Sequence, residues 1–448
     1  MSRYKRYPAY KDSGVEWIGE VPEYWEVKRL RHIAQFSNSN VDKKSYEGQQ
    51  AVKLCNYTDV YYNEFITTSL PFMDATASQD EIRAFELKKG DVLITKDSED
   101  PLDIGIPAIV TDDMAGVICG YHLTMIRTNA PDGAGFVHRS IQSHPTTAHF
   151  FVESPGITRY GLSQDAIGDI VVCLPPKGER ERLASWVNNE TARIDALIAK
   201  KTRFIELLKE KRQALITHAV TKGLDPKVKT KDSGVEWIGA VAQHWSFSKL
   251  AYVATERGGK TPTTSTLKYW DGDVPWVSPK DMKVDVVSDS IDKITEVAVK
   301  EFGMVKIPPQ SILVVVRGMI LAHSFPVAET SRDVTINQDM KALAPAPGLC
   351  PSYLRLLLQS AKHYVVNVLV AEAAHGTRVL RTDIWKQMPL FVPPVDEQNS
   401  ILTYIANATA KLDALASASK RSMVLLKERR SALITAAVTG KIDLREAI

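Results

Sequence analysis

Two long stretches of the chain have apolar residues at spacings of three and four, separated by polar and charged residues, as in an amphipathic helix. The first follows Pro175-Pro176 and runs to about Thr221, and the second follows Pro393-Pro394 and runs to about Thr439. Acidic residues in the first turn and a glycine after the last apolar residue are typical helix start and stop signals. Roughly 45 residues at about 1.5 Å each predict two helices about 65 Å long.

The apolar positions of each predicted helix form a narrow stripe, and the two stripes occupy matching positions. A core helix of a single domain rarely needs this length. We therefore interpret the two helices as an antiparallel coiled coil within the chain. The predicted seam, which is also the predicted partner surface, consists of Ile194, Leu197, Ile205, Leu208, Leu215, Leu412, Leu415, Met423, Leu426 and Leu433.

The residues before each helix follow a different pattern. Residues 28–173 and 248–391 contain short apolar and aromatic runs, such as Asp91–Ile94 and Ser311–Val316, broken by Gly, Pro, Asn and Asp. Such runs predict mixed sheets with long loops. Each half of the chain is therefore predicted to be a globule followed by a helix.

The chain also repeats itself. Lys11-Asp-Ser-Gly-Val-Glu-Trp-Ile-Gly19, the opening motif, returns unchanged as Lys231–Gly239. Leu207-Leu-Lys-Glu-Lys-Arg212, with Ala214-Leu-Ile-Thr217, returns with minor changes as Leu425–Thr435. Nearly equal offsets at opposite ends of the repeat indicate a duplicated unit of about 220 residues, which implies two homologous domains in tandem.

The duplication extends into the diverged globules. Thr95-Lys96 falls opposite Val316-Arg317, and residues 117–123 fall opposite 334–340. The predicted fold is α+β, with two tandem mixed α/β domains, two long helices packed as an antiparallel coiled coil, and a pseudo-twofold internal repeat. The predicted boundaries are 1–173 for the first globule, 174–224 for the central helix, 225–391 for the second globule and 392–448 for the C-terminal helix.

Composition narrows the function only slightly. Hydrophobic residues make up 44% of the 448 residues and charged residues 24%, which is typical of a globular protein, and the formal net charge of +3 is compatible with nucleic-acid binding without indicating it. The four cysteines are scattered and have no ligand spacing, so we expect neither disulfides nor zinc and favour a reducing cytosol. The basic start, Met1 to Tyr10, is not followed by an apolar run, which argues against a signal peptide or a membrane span.

Catalytic motifs are missing. The sequence contains no phosphate-binding GxxxxGK[ST], GxGxxG, HExxH or GxSxG, and no Asn/Asp-Pro-Pro-aromatic motif of amino-methyltransferases. Asp80 with Glu86 and Lys88 matches the loose pattern of metal-dependent nucleases, but nothing equivalent occurs in the second half. We therefore predict a binding protein with no catalytic residues and no metal site.

The binding candidates are polar side chains on loops of the two globules. Lys, Ser and Thr suit phosphate oxygens, whereas Arg317, Asn337 and Gln338 suit base edges. Taken singly, each is more simply a solvated surface residue or a turn former, but their equivalent positions in two diverged copies favour a shared role. The candidates are Asn38, Asn40, Lys43, Lys53, Asn56, Lys96, Tyr121, His122, Lys260, Thr261, Thr263, Thr264, Ser278, Lys280, Arg317, Asn337 and Gln338.

Three aromatic candidates have simpler interpretations. Trp270 and Trp276 are interpreted as core residues in preference to base-stacking ones, and His122 as a hydrogen-bonded loop residue in preference to a ligand.

These motifs together resemble the DNA-specificity (S) subunit of Type I restriction-modification systems. The resemblance rests on the repeated opening motif with its continuations to Trp25 and Trp245, the Pro-Pro helix starts, the repeated helix ends, and residues 261–276. It covers essentially the whole chain. Val241-Ala242 departs from the Val-Pro of the first copy, and the first globule lacks the Gly-Gly-x-Thr-Pro loop of the second, which leaves its base-contacting loop less defined.

The resemblance implies two target-recognition domains, each reading one half of a split, asymmetric site in double-stranded DNA. The helices would fix the gap between the halves, as half-site separation is fixed in dimeric DNA-binding proteins, and would dock two methyltransferase subunits. Restriction/translocase subunits complete such complexes. S-adenosylmethionine, ATP and Mg²⁺ would bind in those partners, which catalyse adenine methylation and restriction in the bacterial or archaeal cytoplasm.

Two other functions remain open. A non-catalytic coiled-coil adaptor would bind proteins through the same globules, and its binding need not depend on salt as phosphate contacts do. A self-contained nuclease or methyltransferase is opposed by the missing motifs.

Overall fold

The computed structural model describes residues 5–130 and 133–445. Residues 1–4, 131–132 and 446–448, which belong to the predicted segments 1–173 and 392–448, lie outside the description. The chain folds into two compact units, Met1–Thr202 with Lys420–Ile448 and Arg203–Ser419. Each unit holds one globule and a part of each long helix, whereas the sequence-based boundaries give each helix a segment of its own.

The first unit contains a mixed set of short strands and helices. Its strands are β1 (Tyr10–Asp12), β2 (Glu20–Pro22), β3 (Glu26–Arg29), β4 (Ala34–Asn38), β5 (Gln50–Cys55), β6 (Phe65–Ile66), β7 (Met73–Ala77), β8 (Val92–Thr95), β9 (Asp97–Ser98), β10 (Pro107–Val110), β11 (Val117–Cys119), β12 (Leu123–Thr128), β13 (Tyr160–Gly161) and β14 (Val171–Leu174). Its shorter helices are α1 (Tyr57–Tyr62), α2 (Gln79–Phe85), α3 (Ala134–Ile141), α4 (His144–Glu153) and α5 (Gln164–Gly168).

The long helix α6 (Lys177–Lys222) begins in the first unit and ends in the second. The strands of the second unit are β15 (Thr230–Asp232), β16 (Ala240–Ala242), β17 (Ser246–Lys249), β18 (Ala254–Gly258), β19 (Trp270–Val277), β20 (Val286–Val287), β21 (Lys293–Ile294), β22 (Ile312–Val315), β23 (Val327–Thr330), β24 (Thr335–Ile336), β25 (Met340–Pro345), β26 (Val370–Glu372), β27 (Arg378–Leu380) and β28 (Pro389–Val392). Its helices are α7 (Leu250–Val253), α8 (Glu296–Glu301), α9 (Pro351–Ser360), α10 (Lys362–Tyr364), α11 (Thr382–Trp385) and the start of α12 (Val395–Val438).

The main sheets of the two units have the same strand order. The first is β4-β12-β8-β10-β6 and the second is β18-β25-β22-β23-β20. In both, the central strand pairs antiparallel with its neighbours, with Leu123 opposite Thr95 in one unit and Met340 opposite Val315 in the other. β8 and β22 are buried along their whole length, which explains their continuous apolar runs. The predicted α+β fold with an internal repeat is confirmed.

The opening motif forms the same turn twice. The backbone N–H of Gly14 donates to the Asp12 carboxylate at 2.9 Å, and that of Gly234 donates to Asp232 at 3.0 Å. Gly14 and Gly234 have φ of +73° and +68°, a left-handed conformation that favours glycine. The repeated motif therefore forms the same local structure in both units.

An acidic residue in the first turn of each long helix receives hydrogen bonds from residues that flank the opening motif. Glu179 accepts from the hydroxyls of Tyr7 at 2.6 Å and Tyr24 at 3.0 Å. Glu397, which occupies the same position in the second copy of the repeat, accepts from the indole N–H of Trp245 at 3.1 Å. These bonds hold the start of each helix against its own globule.

The parts of α6 and α12 within the first unit run antiparallel. Asp195 lies 3.0 Å from Arg430, and the Thr202 hydroxyl lies 4.0 Å from the sulfur of Met423, so residue numbers rise on one helix as they fall on the other. In the second unit Arg212 pairs with Asp413 at 3.5 Å.

Two residues of the predicted seam and partner surface are not buried between the helices. Leu197 and Leu415 are 48% and 49% exposed, so they remain candidates for the partner surface only. The remaining seam residues are buried (Ile194, Ile205, Leu208, Leu433) or half-buried (Leu215, Leu412, Met423, Leu426).

Within residues 5–130 and 133–445, no helix combines the length and the apolar character that crossing a lipid bilayer requires.

Candidate nucleic-acid interface

In the first globule, three chain segments meet where neighbouring strands end. Strands β5 and β11 are parallel and in register, with Cys55 beside Cys119. The residues that follow them, Asn56 and Tyr121-His122, therefore lie at the same sheet edge. The backbone N–H of Lys96, just after β8, donates to the His122 carbonyl at 3.0 Å and brings the third segment to this edge.

Two adjoining clefts open at this edge. They share Tyr57, Thr58 and His122 and have volumes of about 410 and 580 Å³. The smaller is otherwise lined by Tyr61, Tyr62, Asp97, Ser98, Glu99, Asp103 and Arg159. The larger is otherwise lined by Val41, Asp42, Lys43, Lys44, Leu54, Asn56, Met73 and Tyr121.

Asp97 organises the polar side of the smaller cleft. Its carboxylate accepts from Arg159 at 2.7 Å and lies 2.7 Å from His122 Nδ1, which is itself 3.0 Å from the Arg159 guanidinium. Hydrogen bonding to Asp97 raises the pKa of Arg159. His122 is thus a hydrogen-bonded loop residue, as interpreted from the sequence, and it has a left-handed backbone with φ of +74°. These contacts hold the positively charged guanidinium of Arg159 at the mouth of the cleft.

Aromatic rings form the other side. Tyr57 and Tyr61 stack with ring centroids 5.6 Å apart, and Tyr62 is 76% exposed beside them. Lys96 lies 4.6 Å from the centre of the Tyr121 ring, and burial lowers the pKa of this lysine. Aromatic faces next to cations are the usual chemistry of a surface that stacks bases and contacts phosphates.

Other candidates in this globule have structural partners. The Asn38 side-chain oxygen accepts from the Thr124 hydroxyl at 2.6 Å, and Lys53 pairs with Asp74 at 2.7 Å. Asn40 and Lys43 are exposed.

In the second globule, a glycine allows the hydroxyl-rich loop to approach the sheet. A Cβ atom on Gly259 would lie 2.1 Å from the carbonyl oxygens of Ile336 and Asn337, so only glycine fits there. The backbone N–H of Lys260 donates to the Ile336 carbonyl at 3.0 Å. The same approach brings the Thr261 hydroxyl into a hydrogen bond with Gln338.

Two indoles hold this loop. The Trp270 N–H donates to the Thr263 carbonyl at 3.1 Å, and the Trp276 N–H donates to the Lys260 carbonyl at 3.0 Å. The rings meet edge to face, with centroids 5.1 Å apart. Trp276 is buried, as interpreted from the sequence, whereas Trp270 is half-buried.

Several predicted DNA-contact residues in the second globule form hydrogen bonds within the protein instead. Ser278 is buried and donates its hydroxyl to Asp281 at 2.9 Å, and buried Asn337 accepts from the Asp339 N–H at 3.1 Å. Burial prevents either side chain from reaching a base edge. Lys260 donates to the carbonyl of Phe302, at the end of α8, at 2.8 Å.

Four candidates in this globule are exposed, as is Lys280, which is paired with Asp292. They are Thr263, Thr264, Arg317 and Gln338.

In each globule a later segment folds back beside the end of the central strand. Leu162 N–H donates to the Lys96 carbonyl, and Leu380 N–H donates to the Val316 carbonyl, both at 2.8 Å. This return places Arg159 against Asp97, from which it is 62 residues away in the chain. Arg159 was not among the predicted site residues because no local spacing in the sequence links it to Asp97.

The tyrosines of α1 were also missed. Tyr57 and Tyr61 are four residues apart, a spacing that places them on one helix face, and they follow the candidate Asn56 directly. That spacing was the available signal.

Across the described parts of the chain, no group of three or more His, Cys, Asp and Glu side chains is placed to hold a metal ion.

The fold and the strand-end clusters define a protein of two homologous α/β domains, each with polar and aromatic side chains at the ends of corresponding strands. The Type I restriction modification DNA specificity domain family matches residues 242–420.

Curated relatives belong to the same class. The Type I restriction enzyme EcoR124I/EcoR124II specificity subunit of Escherichia coli is 33% identical over 40% of this chain and 42% of its own length. The MjaIX specificity subunit of Methanocaldococcus jannaschii is 28% identical over 38% and 39%. The chain thus spans about two fifths of these relatives.

Solved structures share the fold over nearly the whole chain. A structure from work on complex assembly and conformational transition of the type I R-M system covers 93% of this chain and 98% of its own, with a TM-score of 0.69 and 16% identity. The HsdS subunit of Thermoanaerobacter tengcongensis covers 94% and 98%, with a TM-score of 0.50 and 15% identity. The match of residues 242–420 to this family and the similarity to curated specificity subunits confirm the resemblance for that part of the chain, and the solved structures show that the fold is shared.

Proposed function

We propose that this chain is the DNA-specificity subunit of a Type I restriction-modification complex, in which each globule reads one half of a bipartite, asymmetric target. One observation carries the proposal. The two units have the same strand order, yet different side chains stand at the corresponding strand ends. A duplicated scaffold with exchanged contact groups suits recognition of two different half-sites.

The two globules offer different recognition chemistry. In the first, the exposed tyrosines and Arg159 suit stacking and phosphate contact. In the second, the exposed guanidinium of Arg317 suits the two acceptors of guanine, and Gln338 suits adenine.

The long helices offer the same apolar groups twice. Leu197 and Leu425 are exposed in the first unit, and their repeat counterparts Leu415 and Leu207 are exposed in the second, all by 45–65%. Single exposed leucines are common on protein surfaces, but their recurrence at equivalent positions of both copies of the repeat favours a shared role. We propose that these groups dock two copies of a methyltransferase subunit, one for each copy of the repeat.

In this proposal the chain itself contributes no catalytic residue. The methyltransferase subunits bind S-adenosylmethionine and methylate adenine, and restriction/translocase subunits use ATP and Mg²⁺ to cleave. The complex acts on double-stranded DNA in the cytoplasm of a bacterial or archaeal cell.

DNA binding by the chain assembled with the methyltransferase of a neighbouring reading frame tests this function. Affinity for a duplex with both half-sites should fall steeply as salt rises, because phosphate contacts release counterions. Scrambling either half-site should weaken binding separately. Affinity that ignores both salt and scrambling would favour the adaptor function.

A further inference from the structure

In the first unit, a carboxylate joins the globule to both long helices. Glu64, in the loop before β6, lies 2.5 Å from the guanidinium of Arg139 on α3 and pairs with Arg430 on α12. Arg430 in turn lies 3.0 Å from Asp195 on α6. We call these four residues the first clamp.

The first clamp has a second hold on α6. The Arg139 guanidinium donates to the Asn188 side chain at 2.8 Å and to the Thr191 hydroxyl at 3.3 Å. The Arg139 side chain is fully buried, and Glu64 and Arg430 are 22% and 20% exposed. A buried guanidinium without its carboxylate is costly, so the first clamp holds its parts firmly together.

The second unit contains a corresponding clamp. Asp285, in the loop before β20, lies 3.4 Å from Arg355 on α9 and 3.8 Å from Arg212 on α6. Arg212 lies 3.5 Å from Asp413 on α12. We call these four residues the second clamp.

The two clamps are related by the repeat. Arg212 and Arg430 occupy the same position in the two copies, as do Asp195 and Asp413, and both arginines close the repeated Leu-Leu-Lys-Glu-Lys/Arg-Arg block. The arginine comes from α12 in the first unit and from α6 in the second. The clamp therefore explains a part of the repeat that DNA contact and the helix seam leave unexplained.

We infer that Glu64 and Asp285 are positioning residues that fix the orientation of each globule on the helix pair of its own unit and thereby set the gap between half-sites that the protein accepts. This inference rests on the proposed function. A base-pair step is about 3.4 Å along the DNA axis. A small rotation of a globule relative to the helices at its clamp therefore shifts its contacts to a neighbouring base pair.

The full chain assembled with its methyltransferase provides the test. Glu64→Gln keeps the shape of the side chain and removes its charge. Binding is measured on duplexes with both half-sites intact and gaps that are native, one base pair shorter or one base pair longer. The variant should lose about tenfold in discrimination against the altered gaps, equivalent to about 1.4 kcal/mol, while each half-site sequence is read as before.

Glu206→Gln is the matched control. Glu206 pairs at 3.0 Å with Arg203 on the same helix, so the same exchange removes an ion pair that joins no globule to a helix. It should leave the gap preference unchanged. Glu64→Asp, which keeps the charge, should restore part of the discrimination.

The outcomes separate the inference from the proposed function. Strict gap preference in Glu64→Gln, or loss of half-site reading without a change in gap, overturns the positioning role. If Glu64→Gln does not assemble, Asp285→Asn in the more exposed second clamp decides by the same criteria. A wild-type complex that binds no bipartite duplex refutes the proposed function instead.

Discussion

The two globules show how a duplicated scaffold diverges. In the first, stacked tyrosines and the Asp97–His122–Arg159 group line two clefts at the strand ends. In the second, Trp270 and Trp276 hold a hydroxyl-rich loop over the corresponding edge. Because the strand order is the same in both, we propose that the strands fix where DNA is recognised and the loops determine which sequence is recognised.

The two clamps differ in how deeply their carboxylates are buried. The carboxylate of the first clamp is 22% exposed, and that of the second is 52% exposed with longer contacts to both arginines. Exposed ion pairs contribute less than buried ones. We therefore regard the first globule as the more firmly held of the two.

The largest expected effect is a difference in stability between aspartate substitutions at two adjacent leucines. Leu208 is 7% exposed, and Leu207 is 45% exposed. Leu208→Asp buries a charge in the helix seam and should cost about 4 kcal/mol or more in the free energy of unfolding. Leu207→Asp should change stability by less than about 0.5 kcal/mol but weaken assembly with the methyltransferase. Denaturant unfolding and size-exclusion chromatography measure the two, and equal tolerance of both substitutions would remove the distinction between seam and docking surface.

The next effect distinguishes the units by pH. Burial lowers the pKa of His138 on α3 to about 3, whereas α9, which follows the main sheet of the second unit, contains no histidine. In the unfolded chain histidine has a pKa of about 6.5. Below that pH the histidine is protonated in the unfolded chain but stays neutral in the folded protein. The free energy of unfolding therefore falls as the pH drops from about 6.5 towards 3.

At pH 4 this term should amount to about 3 kcal/mol in the first unit. His138→Leu should remove it, and the carboxylates that titrate in both units remain as a common background. Hydrogen exchange, followed separately in each unit, measures the loss of protection. An identical acid response in wild type and His138→Leu would contradict the prediction.

A smaller effect should be confined to one half-site. Arg317→Ala or Gln338→Ala should weaken binding through the second globule by about 1–3 kcal/mol and leave the other half intact. Arg159→Ala should do the reverse. Duplexes with one half-site scrambled measure each globule in turn. If any of these variants weakens both halves equally, the modular interpretation fails.

The smallest effect concerns the tryptophan of the opening motif. Trp237 stacks on Tyr364 with ring centroids 6.0 Å apart, whereas Trp17 is 60% exposed. Trp237→Ala should cost about 2 kcal/mol and Trp17→Ala less than about 1 kcal/mol. Thermal unfolding of the two variants measures the difference, and equal costs would mean that the stacking contributes nothing.

The sequence predicted what depends on local periodicity. The bounds of α6 and α12 follow from Pro-Pro starts, a 3.6-residue stripe and terminal glycines. The repeat aligned Leu123 with Met340 correctly but placed Thr95 opposite Val316, whereas the residue that pairs with Met340 as Thr95 pairs with Leu123 is Val315. The surroundings of single polar residues were not predictable in this way. Ser278 and Asn337 have the composition of contact residues, but neighbouring strands bury them, and burial depends on distant parts of the chain.

Contacts between residues far apart in the chain could not be predicted from the sequence either. Arg159 meets Asp97, and Glu64 meets Arg430, across 62 and 366 residues. A single sequence holds no signal for such pairs, because nothing in their local spacing changes when they meet. The repeat showed that Arg212 and Arg430 are equivalent, but only the fold shows what they bind.

The proposed function requires that this chain direct methylation to one split DNA motif. Methylated adenine mapped across the host genome with and without the gene measures this. We expect methylation to disappear at a single motif of two short specific sequences around a fixed gap, and nowhere else. An unchanged map, in cells shown to produce the protein and its methyltransferase, would contradict it.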